Sequence, residues 1–600
     1  MAEPLPLSHD AATPALLGVA RSFSGKRWQA RAGDDRLALA LAQRCGVAEI
    51  IGRVLAARGV GLDHAQDFLN PTLRALLPDP NHLLDMAAAA ERIAGAVMAG
   101  ETVAVFGDYD VDGATATAVL VRFLRAVGGT ARLYIPDRID EGYGPNAPAL
   151  IRLKEEGAGL IVCVDCGTTA FAALEGACAA GADIVVIDHH TAEPKLPAVR
   201  AVVNPNRVDE TSPHRTLCAA GLAYLTVVAV NRLLRDAGWY RDRPAPDLLQ
   251  WLDLVALGTV CDVVPLAGLN RALVSQGIKV LGRRDNIGLA ALADVARVQD
   301  RPGAYHLGFL LGPRINAGGR VGRADLGARL LTTDDPREAA QLAQQLDQLN
   351  EERRQIEALV LEEAMALAER DDSPILVLAG EGWHPGVIGI VAGRVKERFN
   401  RPTLVIGIND GIGKASGRSI AGVDLGGAVI AARQAGLLVA GGGHAMAAGL
   451  TVEPDRIPEL RAFLVERVVR QLGGMPPVAQ IAVDGVIACG AANLDLAASL
   501  DRLQPFGSGN AEPVFAIAGL RVVKADIVGQ GHVRAIFTGA DGTRLKGIAF
   551  RCADNDMGGA LLRREMPVHV AGHVRRENWQ GSETVSFIID DAAPAWGAGG

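Results

Sequence analysis

The sequence predicts an α/β multidomain protein: a doubly wound parallel sheet, a long connecting helix, a second α/β domain and a small terminal β-barrel. Three observations lead there. The 600 residues, 49% of them hydrophobic, are too many for one core and suggest about three or four domains. From about residue 84, wholly apolar strand-like runs alternate with helix-like segments of ten or more residues, the pattern of a parallel sheet covered on both faces. From about residue 478 the pattern changes to short runs of alternating polarity.

Residues 1–83 are expected to form an N-terminal segment packed on the domain that follows, residues 84–334. Within that domain "MAAAAERIAGAVMAG" reads as helix, "TVAVFGD" as buried strand, "ATATAVLVRFLRAVG" as helix and "ARLYIPD" as strand. The series continues with "NAPALIRLKEEG" (helix), "LIVCVDCG" (strand), "TTAFAALEGACAAG" (helix) and "DIVVIDHH" (strand), and residues 218–300 look mostly helical. Residues 335–372 hold a charged, helix-favouring stretch without Gly or Pro after Pro336, and its sparse apolar positions predict a solvent-bridging rigid connector rather than a coiled coil. "SPILVLAG", "VIGIVAGRVKERFN" and "PTLVIGI" restart a βαβ pattern in a domain spanning 373–474. "AQIAVDGVIA", "LRVVKADIVG", "HVRAIFTG", "TRLKGIAF", "PVHVAGHVRR" and "ETVSFIID" then suggest an OB-like barrel over 475–595.

A net charge of −8 gives no basic surplus of the kind duplex-binding proteins carry, so composition leaves function open. The N-terminus lacks a basic stretch followed by an apolar core, and no run is apolar and charge-free over the length a bilayer needs; a cytoplasmic protein without membrane contact is expected. Eight scattered cysteines fit a reducing compartment, and the lone CxxC of Cys163 and Cys166 reads as small hydrophobes within a strand. "NDGIGKASG" fails as a phosphate-binding P-loop, because Ile408 stands in place of the first Gly and Ala415 in place of the Ser/Thr.

The chemistry concentrates at strand ends. In "VAVFGDYDVDGATATA", Asp108, Asp110 and Asp112 occupy alternate positions after an apolar run, and in an extended segment they point the same way. The next strands end on Asp165 and on Asp188, His189 and His190, at the sheet edge where open α/β folds bind ligands. One Asp before a Gly is commonly a turn residue and one His commonly a satisfied core or surface group, but neither explains three clusters at equivalent strand ends. Clustered carboxylates collect cations. Oxygen ligands with imidazoles and no thiolate suit Mn2+ or Mg2+ better than structural zinc, and a pair of such ions about 3.5–4 Å apart supports phosphoester hydrolysis.

Beyond "DYDVDG" and "DHH", the chain carries "IPDRIDEGYGPN", "LVALGTVCDVVPL", "PRINAGGRVGRA", "GWHPGVIGIVAGR", "KASGRS", "GGGHAMAAG" and "PFGSGNAEPVF" in order. On this set it resembles the DHH/DHHA1 phosphoesterase family and, within it, the single-stranded-DNA-specific 5′→3′ exonucleases. The resemblance implies a DHH catalytic domain, a DHHA1-type substrate-binding domain and an OB-like domain holding single-stranded DNA. It implies two divalent ions, Mn2+ or Mg2+, on Asp110, Asp112, Asp165, His189 and Asp262, with Asp108 and Asp188 in close support and His190 as a ligand or a group touching the scissile phosphate. Asp253 competes for the fourth-motif position, and only the "GTVCD" context favours Asp262. A water activated by the ions is the family nucleophile. Arg138, Arg314, Arg320, Arg323 and Arg418 offer guanidinium forks to phosphates, Ser416 a donor, and the glycine turn beside His444 an anion nest. A RecQ-type helicase and a single-stranded-DNA-binding protein are implied as partners of a monomer. The alternatives are a phosphodiesterase for short oligonucleotides or cyclic dinucleotides, whose shorter chains lack the terminal domain, and a non-catalytic replication scaffold, which should have lost ligands.

Overall fold

The computed structural model describes residues 14–137, 141–142, 144–299, 301–473, 478–579 and 582–595. The chain divides into two compact units: one comprises residues up to 315, 324–344 and 480 onward, the other residues 316–323 and 345–479.

In the first unit the strands β1 (Thr102–Gly107), β2 (Thr130–Tyr134), β3 (Ala158–Val164), β4 (Ile184–Ile187) and β5 (Ala201–Val203) form an all-parallel sheet in the order β2-β1-β3-β4-β5, with the partly exposed β2 at one edge. Three of the crossovers are the expected helices α2 (Val111–Ala126), α3 (Ala147–Glu155) and α4 (Phe171–Ala179), and α1 (Met86–Ala99) precedes the sheet. The strand order reverses between β1 and β3, so the crevice at their carboxyl ends is the topological switch point. Helices α5 (Ala219–Asp236), α6 (Leu252–Cys261) and α7 (Gly268–Leu281) complete the domain. Gly277 lets α7 approach α6 closely, since a Cβ there would meet the Leu252 carbonyl oxygen at 2.1 Å. Cys163 and Cys166 are free and buried, as small hydrophobes should be.

Helix α8 (Pro336–Ala368) matches the expected connector in length but not in surroundings. Ala339, Leu342, Leu346, Asn350, Arg353, Glu357, Val360, Ala364 and Ala368 form one buried stripe, so the helix is not solvent-bridging. The stripe escaped hydropathy because its middle is polar: Arg353 donates to Glu357 at 2.5 Å and to Asn350 at 3.0 Å.

The second unit holds β6 (Leu376–Glu381), α9 (Ile388–Phe399), β7 (Thr403–Asn409), β8 (Ile412–Arg418), α10 (Leu425–Gln434), β9 (Ala440–His444), β10 (Ala447–Val452) and α11 (Ile457–Leu472). Its sheet runs β9-β10-β8-β7-β6, with β6 and β7 parallel and the remaining pairs antiparallel.

The C-terminal strands are β11 (Gly485–Ile487), β12 (Phe515–Val528), β13 (His532–Thr538), β14 (Arg544–Ala549), β15 (Val568–Trp579) and β16 (Ser582–Pro594). The ladder passes β12-β13-β14-β16-β15 and returns through a β12–β15 pairing. Placing all of residues 1–83 on the catalytic domain needs correction. Strand Arg27–Ala30 pairs in parallel with Gln480–Val483, Phe23 N–H donates to the Ala592 carbonyl at 2.9 Å, and Leu41, Ile51, Val54 and Leu55 share a core with Leu500, Leu503, Phe515 and Phe537. The stretch from Phe68 to His82 does meet that domain, through Arg271 and Gln276 on α7, Arg232 on α5, which donates to Asp79 at 3.0 Å, and the ring of His214 against His82. The physical reason is that the backbone of Gln480–Val483 needs a pairing partner, and the N-terminal strand supplies it.

Trp28 is fully buried there and its Nε1–H donates to Asp591 Oδ2 at 2.9 Å. Replacing it with Ala removes a large core side chain and takes the indole donor from Asp591 Oδ2, so Trp28→Ala is expected to cost about 3–5 kcal/mol, read as a lower denaturation midpoint. A midpoint equal to wild type contradicts this packing.

Candidate metal centre

Strand β1 ends against a sharp turn into α2. Gly113 permits it: a Cβ there would lie 2.5 Å from the Asp108 carbonyl oxygen. Asp110 caps the helix, its Oδ1 accepting from Gly113 N–H at 3.0 Å. Because α2 begins at Val111, Asp112 lies on a helix and not on an extended strand. The period-two argument for three parallel aspartates therefore fails at Asp112, whose carboxylate reaches the centre from the first helical turn. Its two oxygens accept from Ala219 N–H at 2.6 Å and Ala220 N–H at 2.9 Å, the first amides of α5, where the helix dipole favours negative charge.

Beyond β3, Asp165 takes the left-handed conformation, φ +62°, which a non-glycine residue adopts at a cost of about 1–3 kcal/mol. Beyond β4, Asp188 is an anchor. Its Oδ1 accepts from His189 N–H at 2.7 Å and pairs with His190 Nδ1 at 2.7 Å, and its Oδ2 accepts from Thr168 N–H at 3.0 Å. Asp262 stands at the C-terminal end of α6.

His189 joins these elements. Its Nε2 is 3.1 Å from Asp165 Oδ1 and 3.7 Å from Asp112 Oδ2, and its Nδ1 is 3.7 Å from Asp262 Oδ2. Three overlapping groups bring ligand atoms within 4.8 Å of one another: Asp108, Asp110 and Asp165; Asp112, His189 and Asp262; Asp165, His189 and His190. Asp253 lies outside all three; it is buried at the start of α6, where its Oδ1 accepts from Leu254 N–H at 2.8 Å.

The electrostatics suit a cation. Burial and the neighbouring carboxylates push Asp165 well above its ordinary range, burial raises Asp112, and the same causes push Asp262 up to about 8. Asp188 moves the other way, held down by the His190 imidazole and the Thr168 amide against burial, and the carboxylate opposite raises His190 to about 9. Asp262 Oδ2 is buried without a hydrogen-bond partner among the described residues. The nearby thiols of Cys166, Cys218 and Cys261 are pushed up by burial, so they offer no thiolate. An oxygen-rich set with two imidazoles and an orphaned carboxylate oxygen fits Mn2+ or Mg2+.

Sequence reasoning missed the supports of this centre. Gly258 is one: a Cβ there would lie 2.8 Å from Asp112 Oδ1 and 2.4 Å from Thr115 Oγ1. Asn204 is another, donating to the His190 carbonyl at 2.9 Å and to Thr168 Oγ1 at 2.8 Å. Neither residue type signals such a role; the small-residue helix start "CAAG" at 218–221 was the one readable cue for the amides that hold Asp112.

The expected phosphate-binding residues separate. Arg138 lies outside the described residues. Arg314 is buried in the first unit and donates to the Leu310 carbonyl at 2.7 Å. The others belong to the second unit. There Arg418 donates to Ser416 Oγ at 3.2 Å, and register places Arg418 opposite Ala447, itself opposite His444. Gly389, at the start of α9, leaves room beside that pair, since a Cβ would lie 3.0 Å from Ser416 Oγ. Arg320 donates to the Gly386 carbonyl at 2.8 Å, and Arg323 is exposed.

Family models match along the chain: DHH family, N-terminal domain, at 102–259; DHHA1 domain at 372–470; RecJ OB domain at 483–591. The single-stranded-DNA-specific exonuclease RecJ of Dickeya dadantii is 38% identical over 560 residues, covering 91% of this chain and 96% of that enzyme. The chain belongs to the RecJ family. Among solved RecJ-family structures, the Thermus thermophilus protein in complex with Mn2+ superposes with a TM-score of 0.78 at 30% identity, covering 94% of this chain and 79% of that one. The same protein in complex with Mg2+ gives 0.74 at 29% identity, covering 94% and 78%.

A carboxylic acid whose pKa is raised by folding stabilises the fold at low pH and loses that contribution as pH rises through the folded value. Without divalent ions, stability is therefore expected to fall as pH rises from the ordinary aspartate value of 3.8 toward the Asp262 value of about 8. Mn2+ should reverse the loss, binding more tightly as pH rises through this range and releasing protons. Calorimetric titration in buffers of different ionisation enthalpy checks this; proton uptake on binding contradicts it. Gly258→Ala should weaken Mn2+ binding about 10–100-fold by displacing Asp112.

Proposed function

We propose that this RecJ-family chain is a divalent-metal-dependent exonuclease that degrades single-stranded DNA from the 5′ end and releases nucleoside 5′-monophosphates. The observation that carries the reading is the three groups of carboxylates and imidazoles gathered at the carboxyl ends of β1, β3 and β4 and the end of α6, in a chain matched over 91% of its length by a single-stranded-DNA-specific exonuclease.

Asp108, Asp110 and Asp165 would hold one divalent ion and Asp112, His189 and Asp262 the other, Mn2+ or Mg2+ in each case. When bound, the ions supply Lewis acidity and neutralise the charge that develops on the phosphodiester. His190 acts beside them: Asp188 fixes its Nδ1 and keeps the ring protonated, so its Nε2–H is available to donate to the scissile phosphate. Arg418, Ser416 and His444 form the phosphate-binding element of the second unit, with Arg320 and Arg323 contributed to the same unit by the segment 316–323, and Arg314 and Arg138 serving the catalytic domain. Burial pushes Arg418 down from its ordinary pKa, and a phosphate opposite restores the preference for the charged form. The family resemblance extends the reading to a cytoplasmic monomer working with a RecQ-type helicase and a single-stranded-DNA-binding protein. No helix among the described residues is long and apolar enough to cross a membrane.

Strands labelled at the 5′ or the 3′ end, digested with and without Mn2+, test the reading. Immediate metal-dependent release of the 5′ label, with intact duplex spared, is expected; release of the 3′ label first overturns the polarity, and equal digestion of duplex overturns the substrate. Asp110→Ala should lower the rate more than about 100-fold, since it removes a ligand rather than a ligand's support. Arg418→Ala should weaken single-strand binding and reduce its log–log salt slope by about 0.7, the share of one phosphate contact. An unchanged slope removes Arg418 from the DNA path.

A further inference from the structure

The chain spends only 4% of its residues on aromatics, and among the described residues few of them are exposed; Tyr305 and Phe309 are the most exposed, at 62% and 66%. They lie four residues apart, Tyr305 immediately before and Phe309 within a π-helical turn, His306–Leu311. Their rings stack on each other with centroids 5.2 Å apart and planes 23° apart. Tyr305 is further fixed by the edge of His306, centroids 5.8 Å apart at 82°, and His306 Nδ1 is itself held by Gly303 N–H at 3.0 Å. The pair is thus an ordered apolar surface facing water, and π-turns of this kind recur at functional sites.

Its surroundings are cationic. A pocket of about 540 Å3 beside the turn is lined by Lys279, Arg283, Arg301 and His306 over an apolar floor that includes Leu289 and Leu311. Arg283 and Arg301 are exposed, whereas Arg284 is tied to Asp294 at 2.6 Å. Tyr305 also lies within electrostatic reach of Arg575, which Glu512 holds in a two-point ion pair at 3.0 and 2.6 Å. The turn is also fastened to the metal centre, because Cys261, the residue before Asp262, meets the Leu307 carbonyl oxygen at 3.5 Å through its Sγ.

Stacked, exposed aromatics flanked by guanidinium groups match single-stranded nucleic acid: the rings accept bases of any sequence and the cations take the phosphates between them. We propose that Tyr305 and Phe309 are a stacking platform for bases of the single-stranded substrate, with Arg283 and Arg301 contacting its backbone. The platform rests on the exonuclease reading and places its stacking element in the catalytic unit, on a turn that shares a support with Asp262. Its role is positioning: it fixes the strand's path to the metal centre and touches no reacting atom.

The test uses the full-length, Mn2+-loaded protein on long single strands, intact or with consecutive abasic sites. Tyr305→Ala/Phe309→Ala should raise KM about tenfold or more on intact strands, with a smaller effect on kcat. Wild type should lose affinity on abasic strands while the double variant loses little further, and Tyr305→Phe and Phe309→Trp should each keep wild-type behaviour. Wild-type KM in the double variant, or an equal abasic penalty in both proteins, overturns the platform. Both substitutions are at exposed positions, and a thermal midpoint matching wild type verifies folding. Wild-type hydrolysis of the intact strand is the control: its absence refutes the exonuclease reading, whereas its presence with an unmoved KM refutes the platform alone.

Discussion

Carboxylates crowded at one edge of a buried parallel sheet repel one another, and the rest of the catalytic unit is arranged around that repulsion. Asp108, Asp112, Asp165 and Asp188 are all at most 4% exposed. Removing an ionised carboxylate from water without compensation costs several kcal/mol. The fold compensates two of them from within: Asp112 receives the first amides of α5, and Asp188 receives three backbone amides and an imidazole. Asp165 and Asp262 receive much less and are pushed toward the protonated form. That imbalance suits a cation: the chain satisfies Asp188, orients Asp112 through the amides of α5, and leaves Asp165 and Asp262 wanting positive charge.

The same constraint explains local backbone choices that look arbitrary one at a time. Gly113 lets α2 start directly above the end of β1, Asp165 holds a left-handed conformation to turn its side chain inward, and Gly258 lets α6 press against Asp112. Each is a small local strain or loss of side chain accepted to bring groups from four chain segments within ligand distance. The π-helical turn His306–Leu311, packed against α6, follows this logic, because its contact with Cys261 ties an exposed surface to the position of Asp262.

Much of this was legible in the sequence, for identifiable reasons. The strands β1, β3 and β4 are apolar throughout and their polar endings are abrupt, so the sheet, its carboxyl edge and the Asp and His clusters could be read from periodicity and punctuation. Other features could not. The N-cap role of Asp110 moves Asp112 from strand to helix, and alternation alone does not reveal where a helix starts. The buried stripe of α8 contains Asn350, Arg353 and Glu357, which satisfy one another and so disguise a packed face as a solvated one. The pairing of Arg27–Ala30 with Gln480–Val483 joins segments some 450 residues apart, and no local pattern encodes a contact of that range. Tyr305 and Phe309 were invisible for a different reason: i, i+4 aromatics on a helix usually mark a core, and only exposure distinguishes a platform from one.

The central claim is that groups from four segments share a pair of divalent ions, and anomalous diffraction from a crystal soaked in Mn2+ tests it most directly. The account predicts two manganese peaks about 3.5–4 Å apart, one beside Asp108, Asp110 and Asp165 and the other beside Asp112, His189 and Asp262. A single peak, or peaks remote from His189, would contradict it.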